Sequence, residues 1–279
     1  MQIKSAITKE IFESYVPVAK MPERNDSVYN RLVEQFVSVY GQLLKSVIGT
    51  SFESAVEDDD SLKACVLRYV SLQSFAVTAR HLDVVLTATG FGIVNTNTMA
   101  PASRARVDAL IDDCRLRALE NLHDIILHLI GVQDWGRTEQ AASSVPCLFW
   151  HIDHMMKYTV LKRTADNWQD ATGWALNADA VLRNTISTEY MDELLLKTRT
   201  NALTNADSII VDKCLRAIGD FVSNHAITAK PCLYHLDAIV HQLETYIDFY
   251  PTYQNSDIYK GRHAEHYRNR KEDTSFFFM

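Results

Sequence analysis

Proline and glycine are scarce, six and nine in 279 residues. A turn-rich all-β fold needs more of both, so the shortage favours long helices. No run of 18 apolar residues exists, which leaves nothing to span a membrane as a helix. The opening MQIKSAITKEIF has lysines but no apolar signal core and no small-residue cleavage site, so no secretory leader is expected. Five cysteines, Cys65, Cys114, Cys147, Cys214 and Cys232, are scattered without close pairs, and buried reduced thiols are the expectation. HExxH, CxxC and Gly-x-Ser-x-Gly are all missing. Carboxylate pairs such as Asp112-Asp113 fall on faces expected to be solvated, as does the run Asp58 to Asp60. Nothing marks an activated nucleophile or a general base, and the chain is expected not to be an enzyme and to need no cofactor. The net charge of -7 argues against a broad nucleic-acid-binding surface.

What is present is helical patterning with one interruption. Between two helical patterns lies LDVVLTATGFGIVNTNTMAPAS, Leu82 to Ser103. Val84, Val85 and Leu86 form an apolar run, and Thr89-Gly90-Phe91-Gly92 has turn chemistry because glycine takes positive φ at no Cβ cost. Ile93 and Val94 resume the apolar pattern. The segment predicts a short β-hairpin with Phe91 exposed at its tip, as either a structural element or a binding surface. Thr-Gly-Phe-Gly also suggests a phosphate cradle, but it lacks the Lys-Ser/Thr ending of a P-loop and the glycine spacing of a dinucleotide turn.

The helices read from their stripes. Ile3, Ile7, Ile11 and Tyr15 predict one short helix ending near Pro17. Val28, Leu32, Phe36, Val39, Tyr40, Leu43 and Val47 predict a second, ending near Gly49. A third runs roughly from Ser61 to Val85 behind the acidic residues 57–60, which suit a helix N-terminus. Pro101 to Ile130 reads as one long helix stopped by Gly131. Val145 to Leu161 reads as mixed, and Trp168 to Asn184 does not resolve. Helices begin again near Ser187 and near Thr204, and Pro231 opens a last one through Tyr250. The fold expected is a mainly α multi-helix bundle with a short β-hairpin insertion and an extended C-terminal tail. The expected divisions are a helical region 1–131 with the hairpin at 82–98, a second helical region 132–250 and an arm 251–279. The halves share a coarse pattern that would fit a diverged duplication.

Two constellations carry polar chemistry. His151-Ile152-Asp153-His154 would place both histidines on one helix face, but two imidazoles do not complete a zinc site, and solvated or core-edge histidines are the plainer account. His123 and His128, five apart, share a face poorly. The tail holds Lys260, Arg262, Arg268, Arg270 and Lys271 against Glu265, a net of +4 over residues 260–271, and then ends in Phe276, Phe277, Phe278 and Met279. Such a segment is adhesive unless docked, so Arg268, Arg270, Lys271 and the three phenylalanines are expected to form a contact surface, docked on the chain's own body or on a neighbour.

The Leu82–Ser103 segment resembles a family of uncharacterised proteins of Bacteroidetes phages and prophages that carry "LTxxGFGVV…APAS". Trp135, the Leu148-Phe149-Trp150 run, ISTEYMDELL from Ile186, FYPTYQNS from Phe249 and the Lys271–Phe278 tail fit the same pattern. The resemblance implies a virion assembly protein of the head-tail connector or neck type, assembled in the host cytoplasm. It would form a homo-oligomeric ring or join portal or tail components. Its contacts would lie at Thr89, Gly90, Phe91 and Gly92 and in the tail. The other classes of reading are a metal-dependent enzyme using His151 and His154, and a nucleic-acid-binding accessory protein.

Overall fold

The computed structural model describes residues 1–17, 28–82, 84–87, 90–93, 103–225 and 233–264. In chain order the α-helices are α1 Ile3–Ala6, α2 Lys9–Tyr15, α3 Val28–Leu43, α4 Glu53–Asp58 and α5 Asp60–Thr78. Two strands follow, β1 Val84–Thr87 and β2 Gly90–Ile93. Then come α6 Arg104–Ile130, α7 Glu139–Ser144, α8 Ile152–Tyr158, α9 Ala165–Thr185 and α10 Thr188–Arg199. The series ends with α11 Asn205–His225, α12 Leu233–Thr245, α13 Pro251–Gln254 and α14 Asp257–Arg262. The protein is mainly helical, as its shortage of turn formers implies.

Caps set most boundaries. Asp59 Oδ1 accepts from the N–H groups of Ser61 and Leu62 to start α5. Thr8, Thr138, Thr164 and Ser187 do the same for α2, α7, α9 and α10. Of the acidic run before the third helix, Asp59 is the cap and Asp60 the first helical residue, while Glu57 and Asp58 end α4. The helix expected over Ile3–Tyr15 is two helices, because Ile7 is extended and Thr8 caps a new start. The stripe from Val28 continues past Leu43 as a π-helical turn, Leu44–Ile48, closed by Gly49 at φ 85, where a side chain would be strained. The Trp135 indole N–H donates to the carbonyls of Val47 and Ile48, 3.1 Å from each.

The buried side chains fall into two groups. The first joins Ile3, Phe12, Leu32, Phe36, Val66, Val70 and Phe75 to Ile111, Ile125, Leu129, Trp135, Ala141 and Val145. The second begins at Cys147 and takes in Leu148, Phe149, Trp168, Leu182, Tyr190, Leu194, Ile210, Ile218, Ile239, Leu243, Tyr250 and Tyr253. Helix α6 serves both: Ile111, Cys114, Ala118 and Ile126 face the first core, while Leu116 and Leu119 pack on the second.

Two expected divisions are corrected by this packing. The boundary does not lie at residue 131, because Trp135, Ala141, Val145 and Trp150 are sealed into the first core, while Cys147, Leu148 and Phe149 enter the second. Residues 251–262 are not an extended arm. They form α13 and α14, and Tyr253 is fully buried in the second core. Arg262 fastens α14 by donating to the Tyr253 hydroxyl, 2.8 Å, and to the Thr185 carbonyl, 2.5 Å. Trp168–Asn184, unresolved from sequence, is the body of α9. Its alternation of alanine with polar residues buries a narrow face, Ala171, Ala175 and Ala178, that lets α11 approach.

Gly219 of α11 meets α8 so closely that a Cβ would stand 2.2 Å from the Tyr158 carbonyl oxygen. Gly173, on the exposed face of α9, has nothing within 4 Å of that position. Both are mid-helix, where alanine is intrinsically better by about 1 kcal/mol. Gly173→Ala should therefore raise stability by about 0.5–1 kcal/mol. Gly219→Ala should lower it by about 1–3 kcal/mol or more, because backbone must move. Urea denaturation of the two variants checks both signs.

Candidate functional site

Three imidazoles cluster at the junction of the two cores, around the first turn of α8. A helix start leaves its first N–H groups without intrahelical partners. Here three imidazoles serve them. His123 of α6 accepts at Nδ1 from the Ile152 N–H, 3.1 Å. His151, the residue before the helix, accepts at Nδ1 from the Asp153 N–H, 3.1 Å. His154 accepts at Nδ1 from the His151 N–H, 3.4 Å. Each Nδ1 is thus an acceptor, so each ring is neutral with its proton on Nε2.

The rings also touch one another. The His123 and His151 centroids are 5.0 Å apart, and those of His151 and His154 are 6.0 Å apart. Trp168 meets His123 edge-on at 4.9 Å and stacks on Phe149 at 5.8 Å, while Trp150 stands edge-on to all three imidazoles. Burial pushes His123 down to about 3, with His151 and His154 adding to the shift. Burial pushes His154 down to about 4, and it lowers His151 too, against the pull of Asp153. His151 Nε2 is buried without a hydrogen-bond partner.

The sequence placed His151 and His154 on one helix face as candidate metal ligands. The structure instead makes His151 the cap before the helix and turns both Nδ1 atoms to backbone N–H groups. Among the described residues no group of three His, Cys, Asp or Glu is placed to hold a metal ion. The sequence reading set His123 only beside His128 and missed its role, since its partner lies 29 positions away. The only local signal was a histidine inside the apolar stripe of α6. His128 does separate work, lying 3.2 Å from the Asp59 carboxylate at the start of α5.

A second polar feature is an open groove of about 470 Å³ lined by Ser208, Ile209, Asp212, Lys213, Arg216, His235 and Ala238. Asp212 accepts from the Tyr158 hydroxyl at 2.6 Å and from Arg216 Nε at 2.8 Å, which hold its carboxyl below the usual range. His235 pairs with Asp220. The charges there answer one another more than they address a ligand. Burial pushes the Cys114 thiol up to about 11 and Cys147 up to about 12, and raises Cys214 further, so these are packing residues and not nucleophiles.

Of the predicted contact residues, Gly90, Phe91 and Gly92 belong to β2. The strands pair antiparallel with Val84 opposite Ile93, Val85 opposite Gly92, Leu86 opposite Phe91 and Thr87 opposite Gly90. Phe91 is therefore a ladder residue and not a turn tip, a correction that follows from the pairing running up to Gly90. Thr89, Arg268, Arg270, Lys271, Phe276, Phe277 and Phe278 lie outside the described residues.

Residues 17–145 match a family of unknown function, DUF6712. No curated protein and no solved structure matches the chain. The family match ends at Val145, before Trp150 of the first core and Cys147 of the second. The similarity thus covers most of the first core and, from the second, Leu116 and Leu119 of α6. No described helix is long and apolar enough to cross a membrane.

The junction predicts a specific pair of variants. His123→Leu leaves the buried Ile152 N–H without an acceptor and should cost about 1–3 kcal/mol. His123→Asn, whose Oδ1 can stand where Nδ1 stands, should recover most of that loss. Chemical denaturation at pH 7.5 reads both, and equal losses would dismiss the acceptor role.

Proposed function

We propose that this chain is an assembly protein of a tailed-phage virion, of the head-tail connector or neck class, acting as a homo-oligomeric ring or as part of one. The observation that carries the reading is a two-stranded β-hairpin inserted in a helical chain. Among the described residues β1 and β2 pair with each other and with no third strand. An unpaired strand edge is a row of backbone donors and acceptors, and another chain can extend it. The sequences VVLT and GFGI, apolar and uncharged, suit burial between chains better than lifelong contact with water.

The junction chemistry supports the same reading from another side. The histidines that suggested a metalloenzyme are occupied as helix caps, and the buried thiols are held protonated. The resemblance to phage and prophage proteins supplies the virion setting and the partners, portal or tail components. A ring uses two different patches on each copy. The hairpin offers one, and the basic, phenylalanine-ended tail is the natural second.

Native mass spectrometry and negative-stain imaging of the purified protein, alone and with a portal-type partner, should show a closed high-order complex. Phe91→Ala should weaken that complex about tenfold or more while leaving the thermal midpoint of the single chain nearly unchanged. Deleting residues 270–279 should give a folded protein that does not assemble. A strict monomer absent from purified particles would overturn the reading.

A further inference from the structure

The three imidazoles at the core junction do one thing that cannot survive acid. A neutral imidazole accepts at Nδ1, whereas an imidazolium has a proton there and can only donate. Each of the three Nδ1 atoms faces a backbone N–H, from Ile152, Asp153 and His151. Protonation would set donor against donor at all three. It would also place positive charge at the N-terminal end of α8, where the helix dipole is positive too. We propose that His123, His151 and His154 form an acid-sensitive latch, which clasps α8 and the second core to α6 when neutral and releases them when protonated.

The surroundings do little to protect the protonated state. From α6, Glu120 and Asp124 approach, but Glu120 is taken by Arg163, 3.0 Å. Arg163 also pairs with Asp153 at 3.5 Å and adds its own positive charge against His123 and His151. From α8 come Asp153, 3.6 Å from His151 Nδ1, and Lys157, which opposes protonation of His154. α9 presents Trp168, and the segment before α8 presents Phe149 and Trp150. α11 reaches the cluster only through Asp212, which is bound to the Tyr158 hydroxyl beside His154. Asp153 favours protonation of His151 and of His154, and Asp124 that of His151, but burial outweighs both carboxylates. Neither His123 nor His154 has a carboxylate within ion-pair distance among the described residues, and they are the trigger.

The direction follows from linkage. In the unfolded chain these histidines titrate near the ordinary 6.5, and in the folded chain much lower. The folded state then binds fewer protons, so its advantage is complete above 6.5 and is lost as pH falls from there toward about 4. Between pH 7 and pH 5 each of His123 and His154 should raise the unfolding constant about 25-fold. The depressed carboxylates, Glu53, Asp59, Asp207 and Asp212, respond at lower pH, and Asp179, which burial raises, is common to wild type and variant and cancels in their comparison.

The test is urea denaturation of the full chain at pH 7, 6 and 5, read by tryptophan fluorescence. The wild type should lose stability steeply over this range. The double variant His123→Asn with His154→Asn keeps acceptors but does not titrate, and its dependence should be flatter by about two protons per molecule. Histidine Cε1 NMR titration of the wild type stands beside it should the variant not fold. The three imidazoles should stay neutral at pH 5 until backbone signals of α8 change. A wild type equally stable at pH 7 and 5, a double variant as pH-dependent as the wild type, or imidazoles that titrate near 6.5 without disturbing α8 would each overturn the latch.

Discussion

Helix α6 must bury two faces at once. Its 27 residues carry Ile111, Cys114, Ala118, Ile125, Ile126 and Leu129 toward the first core and Leu116 and Leu119 toward the second. A helix with one apolar stripe can be lifted from its neighbour. One with two becomes the wall between two compartments, and the elements on both sides are referred to it. Helix α5 lies along one side, and α8 with α9 meet it on the other. Removing α6 would leave neither core closed, and so the other helices can be as short as α7 or α8 and still be ordered by packing.

The junction beside that wall joins close backbone approaches to the buried rings of Phe149, Trp150 and Trp168. Gly136 meets the Arg199 carbonyl where a Cβ would stand at 2.2 Å, and Gly219 meets Tyr158 in the same way. The Arg199 guanidinium donates twice to the carbonyl of Val145, a residue of the first core, at 3.0 and 2.7 Å. Together with the His123–Ile152 bond these contacts pin the segment between the cores from both ends. Where main chains come this near, every N–H and C=O must find a partner or bear the cost of burial. Imidazole rings meet that need on α8, since an Nδ1 acceptor can be delivered from a neighbouring helix.

The helices were legible where apolar residues recur at helical spacing and a short polar residue stands before them. Thr204 with Asp207 is an example: the Thr204 hydroxyl accepts from the Asp207 N–H at 3.1 Å, and the Asp207 carboxylate accepts from the Thr204 N–H at 3.0 Å. Legibility failed in three physical situations. The break at Ile7 breaks no periodicity, because the apolar spacing is the same on both sides. Alanine-rich α9 buries a face too small to register as a stripe. The histidine caps pair residues 123 and 152, and no local pattern encodes a partner that arrives from another helix. His151 misled for a related reason: histidine is an unusual capping residue, so His-x-x-His suggested ligands before it suggested a helix start.

What the junction spends its histidines on bears on where function can lie. A catalytic imidazole must offer a free nitrogen to a substrate near neutral pH. His123 and His154 have given Nδ1 to the main chain and are held neutral far below their ordinary range. The buried thiols are bound to packing in the same sense, and the groove along α11 and α12 closes its charges on Asp212 and Asp220. The chemistry-bearing groups of the described interior therefore hold the two cores to α6. Backbone pairing at β1 and β2 is the exception: it satisfies one edge of each strand and leaves the other with no third strand among the described residues. On the proposed reading, that strand edge is where another backbone would add.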